Sequence, residues 1–232
     1  MLRPYCFLPT SPMLVLGLTG DIACGKSTVA RWLVERGGVH LDADLLVREL
    51  YGNTDFAREL ARHLQSSHSE HRVLDVPNSS ILNADDTINR RVLAQWVFGD
   101  EQRLQRLEAL VHPAVGALRE RKIAALRDLK TPPQIVVLEA VKLVESGQAR
   151  DCNAIWWITA AREVQMRRLT EDRGLNATEA ELRLRHQPDA IQKRALLDAL
   201  GVPYQFIDNS ASRVELERQL ESQIARLQMR VE

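Results

Sequence analysis

The segment Gly20-Asp21-Ile22-Ala23-Cys24-Gly25-Lys26-Ser27 constrains this chain more than any other. It fits the spacing G-x-x-x-x-G-K-[ST], and its neighbours are the ones that spacing needs. Met13–Leu18 before it is continuously apolar and predicts a buried strand. From about Gly25 to Glu35 the chain reads as a helix with Val29, Ala30, Trp32 and Leu33 apolar, closed by Gly37-Gly38. A strand that turns through glycines into a helix gathers backbone N–H groups into a concave nest. The helix N-terminus adds its own unpaired N–H groups and a positive dipole end. Such a cradle takes phosphate. Gly20, Asp21, Ile22, Ala23, Cys24, Gly25, Lys26, Ser27 and Thr28 are therefore the candidate nucleotide-binding residues. Lys26 places its charge on the β- and γ-phosphates, and Ser27 offers its hydroxyl to Mg²⁺, an ion that prefers oxygen ligands. Cys24 lies at a helix N-terminus, which predicts a lowered thiol pKa and a thiol whose modification blocks ATP binding.

The rest of the chain alternates strand and helix. Val39–Leu41, Gln134–Leu138, Ala154–Thr159 and Tyr204–Ile207 are short apolar runs that read as strands. Residues 44–65, 87–128 and 161–200 read as helical. Ser212–Leu227 closes the chain as an amphipathic helix with Val214, Leu216, Leu220, Ile224 and Leu227 apolar. This order predicts an α/β fold, a five-stranded parallel sheet in a three-layer sandwich, with a long helical insertion after the second strand. Met1–Pro12 holds three prolines and no period, and reads as a disordered extension or as an upstream start with Met13 the working one. Ser66–Asn83 is polar and reads as a loop.

Composition excludes several classes. The 31 basic and 31 acidic residues cancel, which argues against a nucleic-acid binder. No apolar run approaches the roughly 18 residues that span a bilayer. Three scattered cysteines make no disulfide framework, so a reducing cytoplasm is expected. Only five of the basic residues are Lys: Lys26, Lys122, Lys130, Lys142 and Lys193. A lysine in a special place is therefore informative. No heptad is visible, and a monomer or weak homo-oligomer is expected.

Binding phosphate does not say what becomes of it. A guanine-reading N-K-x-D segment is missing. A kinase needs a group to orient an acceptor hydroxyl and cationic groups over the transferring phosphoryl. Asp42-Ala43-Asp44 ends the second strand, at the edge where open α/β sheets hold ligands. Asp42 reads as a helix cap and Asp44 as the chemical carboxylate. Arg162, Arg167, Arg168 and Arg173 read as a lid, mostly paired with Glu163, Glu171 and Asp172, with one or two reaching phosphate. Weaker signals read as structure. His63, His68, Glu70 and His71 form a solvated loop rather than a zinc site. Trp156-Trp157 is packing, Trp96 and Phe98 pack the helical part, and His112 before Pro113 is a helix-entry residue.

These residues together carry a resemblance. Gly17-Leu18-Thr19-Gly20 running into Gly25-Lys26-Ser27-Thr28-Val29-Ala30, then Leu41-Asp42-Ala43-Asp44 and Arg48, resembles the dephospho-CoA kinase family. So do Leu107-Glu108 with His112-Pro113, Gln165 with Arg168-Leu169, Ala180, Arg183 and Gln187, and Ile207-Asp208-Asn209. The likeness runs from about Met13 to Leu227 and implies a P-loop NTPase core spanning 13–232. It also implies a helical CoA-binding part near 45–125, a lid near 162–190, and ATP and dephospho-CoA as substrates with Mg²⁺. Lys26, Asp44 and Arg168 would be catalytic, and Asn209 would join the nucleotide site. Arg48, His112 and Lys142 would lie toward the acceptor.

Several positions depart from that pattern. Asp21 and Cys24 stand where the family usually has Gly and Ser. A carboxylate at Asp21 opposes phosphate unless it points away. Glu139-Ala140-Val141-Lys142 replaces Asp-x-Pro-Leu, and Lys142 is expected to take over a phosphate or substrate contact. Asp172-Arg173-Gly174 replaces Arg-Asp-Gly, and Ala211 stands where Gly is common. Two alternatives follow: another small-molecule kinase acting on a nucleoside or sugar, or a nucleotide-binding regulatory protein that has lost catalysis.

Overall fold

The computed structural model describes residues 13–65 and 81–228 of the 232. The expectations for Met1–Pro12, for most of the Ser66–Asn83 loop, and for His68, Glu70 and His71 lie outside the described residues.

Five strands form one all-parallel sheet in the order β2-β3-β1-β4-β5. They are β1 Leu14–Gly20, β2 Val39–Asp42, β3 Ile135–Glu139, β4 Ala154–Thr159 and β5 Tyr204–Asp208. Four of the five run one or two residues further toward their C-terminal ends than hydropathy suggests, into Gly20, Asp42, Glu139 and Asp208. Register explains this. Leu18 pairs with Glu139, Asp42 with Glu139, and Thr159 with Asp208, so polar residues finish the ladder at one edge. The centre of the sheet is buried on both faces, as parallel sheets require. Leu16, Leu18, Val137, Trp156 and Ile158 meet helix α1 (Lys26–Val34) through Val29, Ala30 and Leu33. Helix α9 (Arg213–Gln228) adds Leu216, Leu220 and Ile224 to the same core. Val214 is the exception to its expected stripe: it lies in the first turn, 75% exposed.

The chain divides into two compact units. One holds the sheet, with the residues up to Asp42 and from Ala125 onward; the other is the contiguous insertion Ala43–Ala124. The insertion has its own core. Helix α2 (Ala43–Gly52) contributes Leu46 and Leu50, α3 (Thr54–Gln65) contributes Ala57, Leu60, Ala61 and Leu64, and α4 (Arg90–Val97) contributes Leu93 and Trp96. Helix α5 (Glu101–Arg127) adds Leu107, Val111 and Val115. Two expectations are corrected here. Phe98 follows the end of α4 and is 88% exposed, so it packs nothing, unlike Trp96. His112 is not at a helix entry: it is exposed in the middle of α5, which runs through Pro113. The helix tolerates this proline on its exposed face at the cost of one backbone hydrogen bond, that of the Ala109 carbonyl.

The segment near 162–190, expected to be a lid, belongs to the sheet unit. Helix α6 (Arg162–Arg167) passes into a π-helical turn at Arg168–Asp172, then α7 (Ala177–Arg185) and α8 (Ala190–Asp198) follow. Capping boxes start α7 at Asn176 and α8 at Asp189, which explains the breaks in the Arg-rich stretch. Its ion pairs differ from expectation. Arg162 bonds Glu181 at 2.6 Å, and Arg185 bonds the same carboxylate at 2.9 Å. The first pair joins α6 to α7, and the second lies within α7, one turn apart.

Candidate active site

The glycine loop leaves β1 at Gly20 and enters α1 at Lys26. Two positions admit only glycine. Gly20 has φ +152°, and a methyl group there would overlap the backbone of Ile158 in the neighbouring strand. Gly25 has φ +89°, and its missing side chain leaves room for the Asn209 amide. Between them Ala23 is held at φ 54°, a left-handed conformation that alanine adopts only when its surroundings impose it.

Those surroundings come from the lid and from β5. Gln187 Oε1 accepts from the Ile22 N–H at 2.6 Å, and Gln165 Nε2 donates to the Ile22 carbonyl at 2.8 Å. Ala23 packs with Leu169, Ala180 and Leu184 in a small apolar cluster. Asn209 Nδ2 donates to the Cys24 carbonyl at 2.8 Å from a buried position. Its amide therefore acts on the backbone of the loop.

The cations of the loop are placed in the same way. Lys26 Nζ donates to the carbonyls of Gly20 at 3.0 Å and Asp21 at 3.1 Å. The Arg168 guanidinium donates to Ala23 O at 3.1 Å and Asn209 O at 2.9 Å. The π-helical turn that starts at Arg168 breaks the helical repeat here, a distortion common at functional positions. Both cations thus sit on neutral carbonyls beside the loop. Anionic phosphate oxygens are stronger acceptors than these carbonyls. Ser27 and Thr28 lie exposed on the first turn of α1.

The Asp21 carboxylate points away from the nest. It bonds Lys193 Nζ at 2.8 Å through Oδ1 and 2.9 Å through Oδ2, and it accepts from Trp157 Nε1 at 3.0 Å. Nothing around Lys193 in the sequence marks it beyond the scarcity of lysine. Its partner lies 172 residues away, so no local pattern announces it.

Cys24 is corrected. The expected lowering of its pKa does not occur: the thiol is buried, and burial pushes its pKa above the ordinary thiol value, Lys26 pulls it down, and Asp21 pushes it up again. Lys142 is exposed in the turn after β3. Its contact with phosphate or substrate stays a proposal. In the insertion, Asp44 and Arg48 are exposed one turn apart on α2, with Leu46 and Leu50 turned inward. Asp44 is in the first turn of that helix, and Asp42 immediately before it ends β2. His112 is exposed on α5.

A parallel sheet in this order, with a glycine cradle after its central strand and Arg168 lodged on that cradle, defines a P-loop phosphotransferase fold. Residues 14–215 match the dephospho-CoA kinase family, and the chain belongs to that family. A dephospho-CoA kinase of Geobacter metallireducens is 38% identical over 208 residues, covering 90% of this chain and 94% of its own. One from Shouchella clausii is 32% identical, covering 91% and 97%. Among solved structures, a Thermus thermophilus protein superposes with a TM-score of 0.68 at 30% identity, covering 93% of this chain and 98% of its own. The dephospho-CoA kinase of Campylobacter jejuni shares the fold, with a TM-score of 0.63 at 20% identity over 93% and 97%.

Proposed function

We propose that this chain transfers the γ-phosphoryl group of ATP to the ribose 3′-hydroxyl of dephospho-CoA, giving CoA and ADP. The observation that carries this reading is the family match over residues 14–215 together with a complete loop, Lys26 and Arg168 included. The nest amides and the start of α1 hold the β-phosphate. Lys26 and Arg168 leave their carbonyl partners for phosphate oxygens and offset the negative charge that builds up in transfer. Asp44 orients the 3′-hydroxyl and accepts its proton as the new O–P bond forms and the bond to the β–γ bridging oxygen breaks, with ADP as the leaving group. Arg48, His112 and Lys142 serve the acceptor side, and Asn209 holds the shape of the nucleotide loop.

The donors present fit Mg²⁺. Ser27 gives one hydroxyl oxygen, no cluster of His, Cys, Asp or Glu able to hold a metal occurs among the described residues, and Mg²⁺ habitually takes its remaining ligands from phosphates and water. Bound there, the ion would neutralise β- and γ-oxygen charge. Cys24 and Cys152 are buried thiols outside any disulfide, which suits a reducing cytoplasm. Among the described residues no helix is long and apolar enough to cross a membrane.

The test is the purified chain with MgATP and dephospho-CoA, with nucleosides and gluconate as rival acceptors. CoA with stoichiometric ADP supports the reading. Turnover of a rival alone moves the chain to another kinase class, and tight ATP binding without acceptor-dependent ADP release marks a regulatory protein.

A further inference from the structure

The buried charged side chains among the described residues are Asp21, Arg119 and Lys193, and two of them meet. We infer that Lys193 is a positioning residue for the nucleotide: it cancels the Asp21 charge and draws that carboxylate out of the cradle, so that a loop carrying an acid still accepts a triphosphate.

The geometry supports this at each point. Asp21 is the second residue of the loop, and its own backbone carbonyl accepts from Lys26 Nζ at 3.1 Å. A negative charge at that position faces the same ligand that Lys26 is there to attract. The Asp21 charge is felt nearby: it pushes up the pKa of the buried Cys24 thiol, after the larger effect of burial and against the pull of Lys26. Both carboxylate oxygens are nevertheless engaged on the far side, by Lys193 Nζ and by Trp157 Nε1. The ammonium also lies 5.8 Å from the Trp157 ring centre, so tryptophan and lysine wall off the acid together. Lys193 belongs to α8, and Gln187, shortly before that helix, holds the Ile22 amide. One segment therefore fixes the charge of Asp21 and the backbone of its neighbour. Buried opposite charges removed singly leave an uncompensated ion. Here that ion would be a carboxylate beside the phosphate site.

The inference rests on the loop being the ATP site, and the experiment separates the two. ADP binding is measured by calorimetry on the full chain, with ATP KM and kcat alongside. Lys193→Met should weaken ADP about tenfold or more and raise the ATP KM more than it lowers kcat. Asp21→Asn combined with Lys193→Met has no ion pair, yet it should return ADP affinity to within about threefold of the parent. Lys193→Arg keeps the charge and should stay near the parent. A double variant as weak as Lys193→Met overturns the inference, as does Lys193→Met that melts lower but binds ADP like the parent. Should Lys193→Met fail to fold, Asp21→Asn decides. It should bind ADP at least as tightly as the parent, and weaker binding overturns the proposal. A parent chain that binds no ADP overturns the reading of the loop itself.

Discussion

At the residue scale, the proposed reaction assigns separable parts to two side chains. Lys26 sits on loop carbonyls, so on the proposed reading Lys26→Ala would remove a phosphate ligand without opening the core. Turnover should fall by roughly 10²-fold or more with the melting temperature held within a few degrees, checked by steady-state kinetics and a thermal melt. Asp44 is exposed in the first turn of α2. Asp44→Asn should lower kcat by roughly 10²-fold or more while the ATP KM changes little; a variant as fast as the parent would remove Asp44 as the proton acceptor. Cys24 makes a prediction of the opposite kind. Burial disfavours its thiolate, so the folded pKa lies above the unfolded one. The folded chain then holds a proton that the unfolded chain releases. That contribution to stability is whole below the ordinary thiol pKa and is lost as pH rises through the folded value. The melting temperature should therefore decline above roughly pH 8.5, and less steeply in Cys24→Ser. Tyr51, also raised by burial, leaves a residual slope at higher pH.

At the scale of elements, the joint between β1 and β4 is the least forgiving. Gly20 pairs with Ile158, and a methyl group would collide with that residue's backbone, which cannot swing aside. Gly20→Ala should cost about 2–4 kcal/mol in denaturant unfolding, beyond the roughly 1 kcal/mol that a strained φ alone brings. Legibility followed the same line. The strands and helix α1 could be read because hydropathy and the glycine turn are local signals. What escaped was decided by distant partners. The Arg162–Glu181 pair depends on how α6 meets α7. Asp21 looked like an intruder among phosphates because its ammonium partner comes from α8. Phe98 was misplaced because a large apolar residue does not dictate its own burial once a helix has ended. His112 was misplaced because Pro113 looks like a helix start, whereas an exposed helix face lets α5 continue through it. In the candidate site the course of the loop from strand into helix was legible from spacing. The grip of Gln165 and Gln187 on the Ile22 peptide was not, since nothing in the order of residues shows two amide side chains converging on one peptide.

At the scale of the whole molecule, nucleotide binding and folding are linked. A ligand that binds only the native state stabilises it by mass action, about 2.7 kcal/mol at a hundred times its dissociation constant. MgATP should raise the melting temperature of the parent by several degrees and that of Lys26→Ala far less, and chelating Mg²⁺ with EDTA should abolish turnover. A differential scanning fluorimetry series in nucleotide and metal reads both effects.

The division of the sheet unit on either side of the insertion sets an order of events during synthesis. The cradle is translated well before Asn209, which holds the Cys24 carbonyl, and before Leu216, Leu220 and Ile224, which cover the sheet. The insertion is contiguous and has a core of its own, so it can condense on the ribosome while β1 and α1 still wait for their neighbours. Until β3 and β4 have been made, the nascent polypeptide thus carries an apolar β1–α1 segment without its sheet partners, and the loop gains its full setting only once Asn209 and α9 have followed.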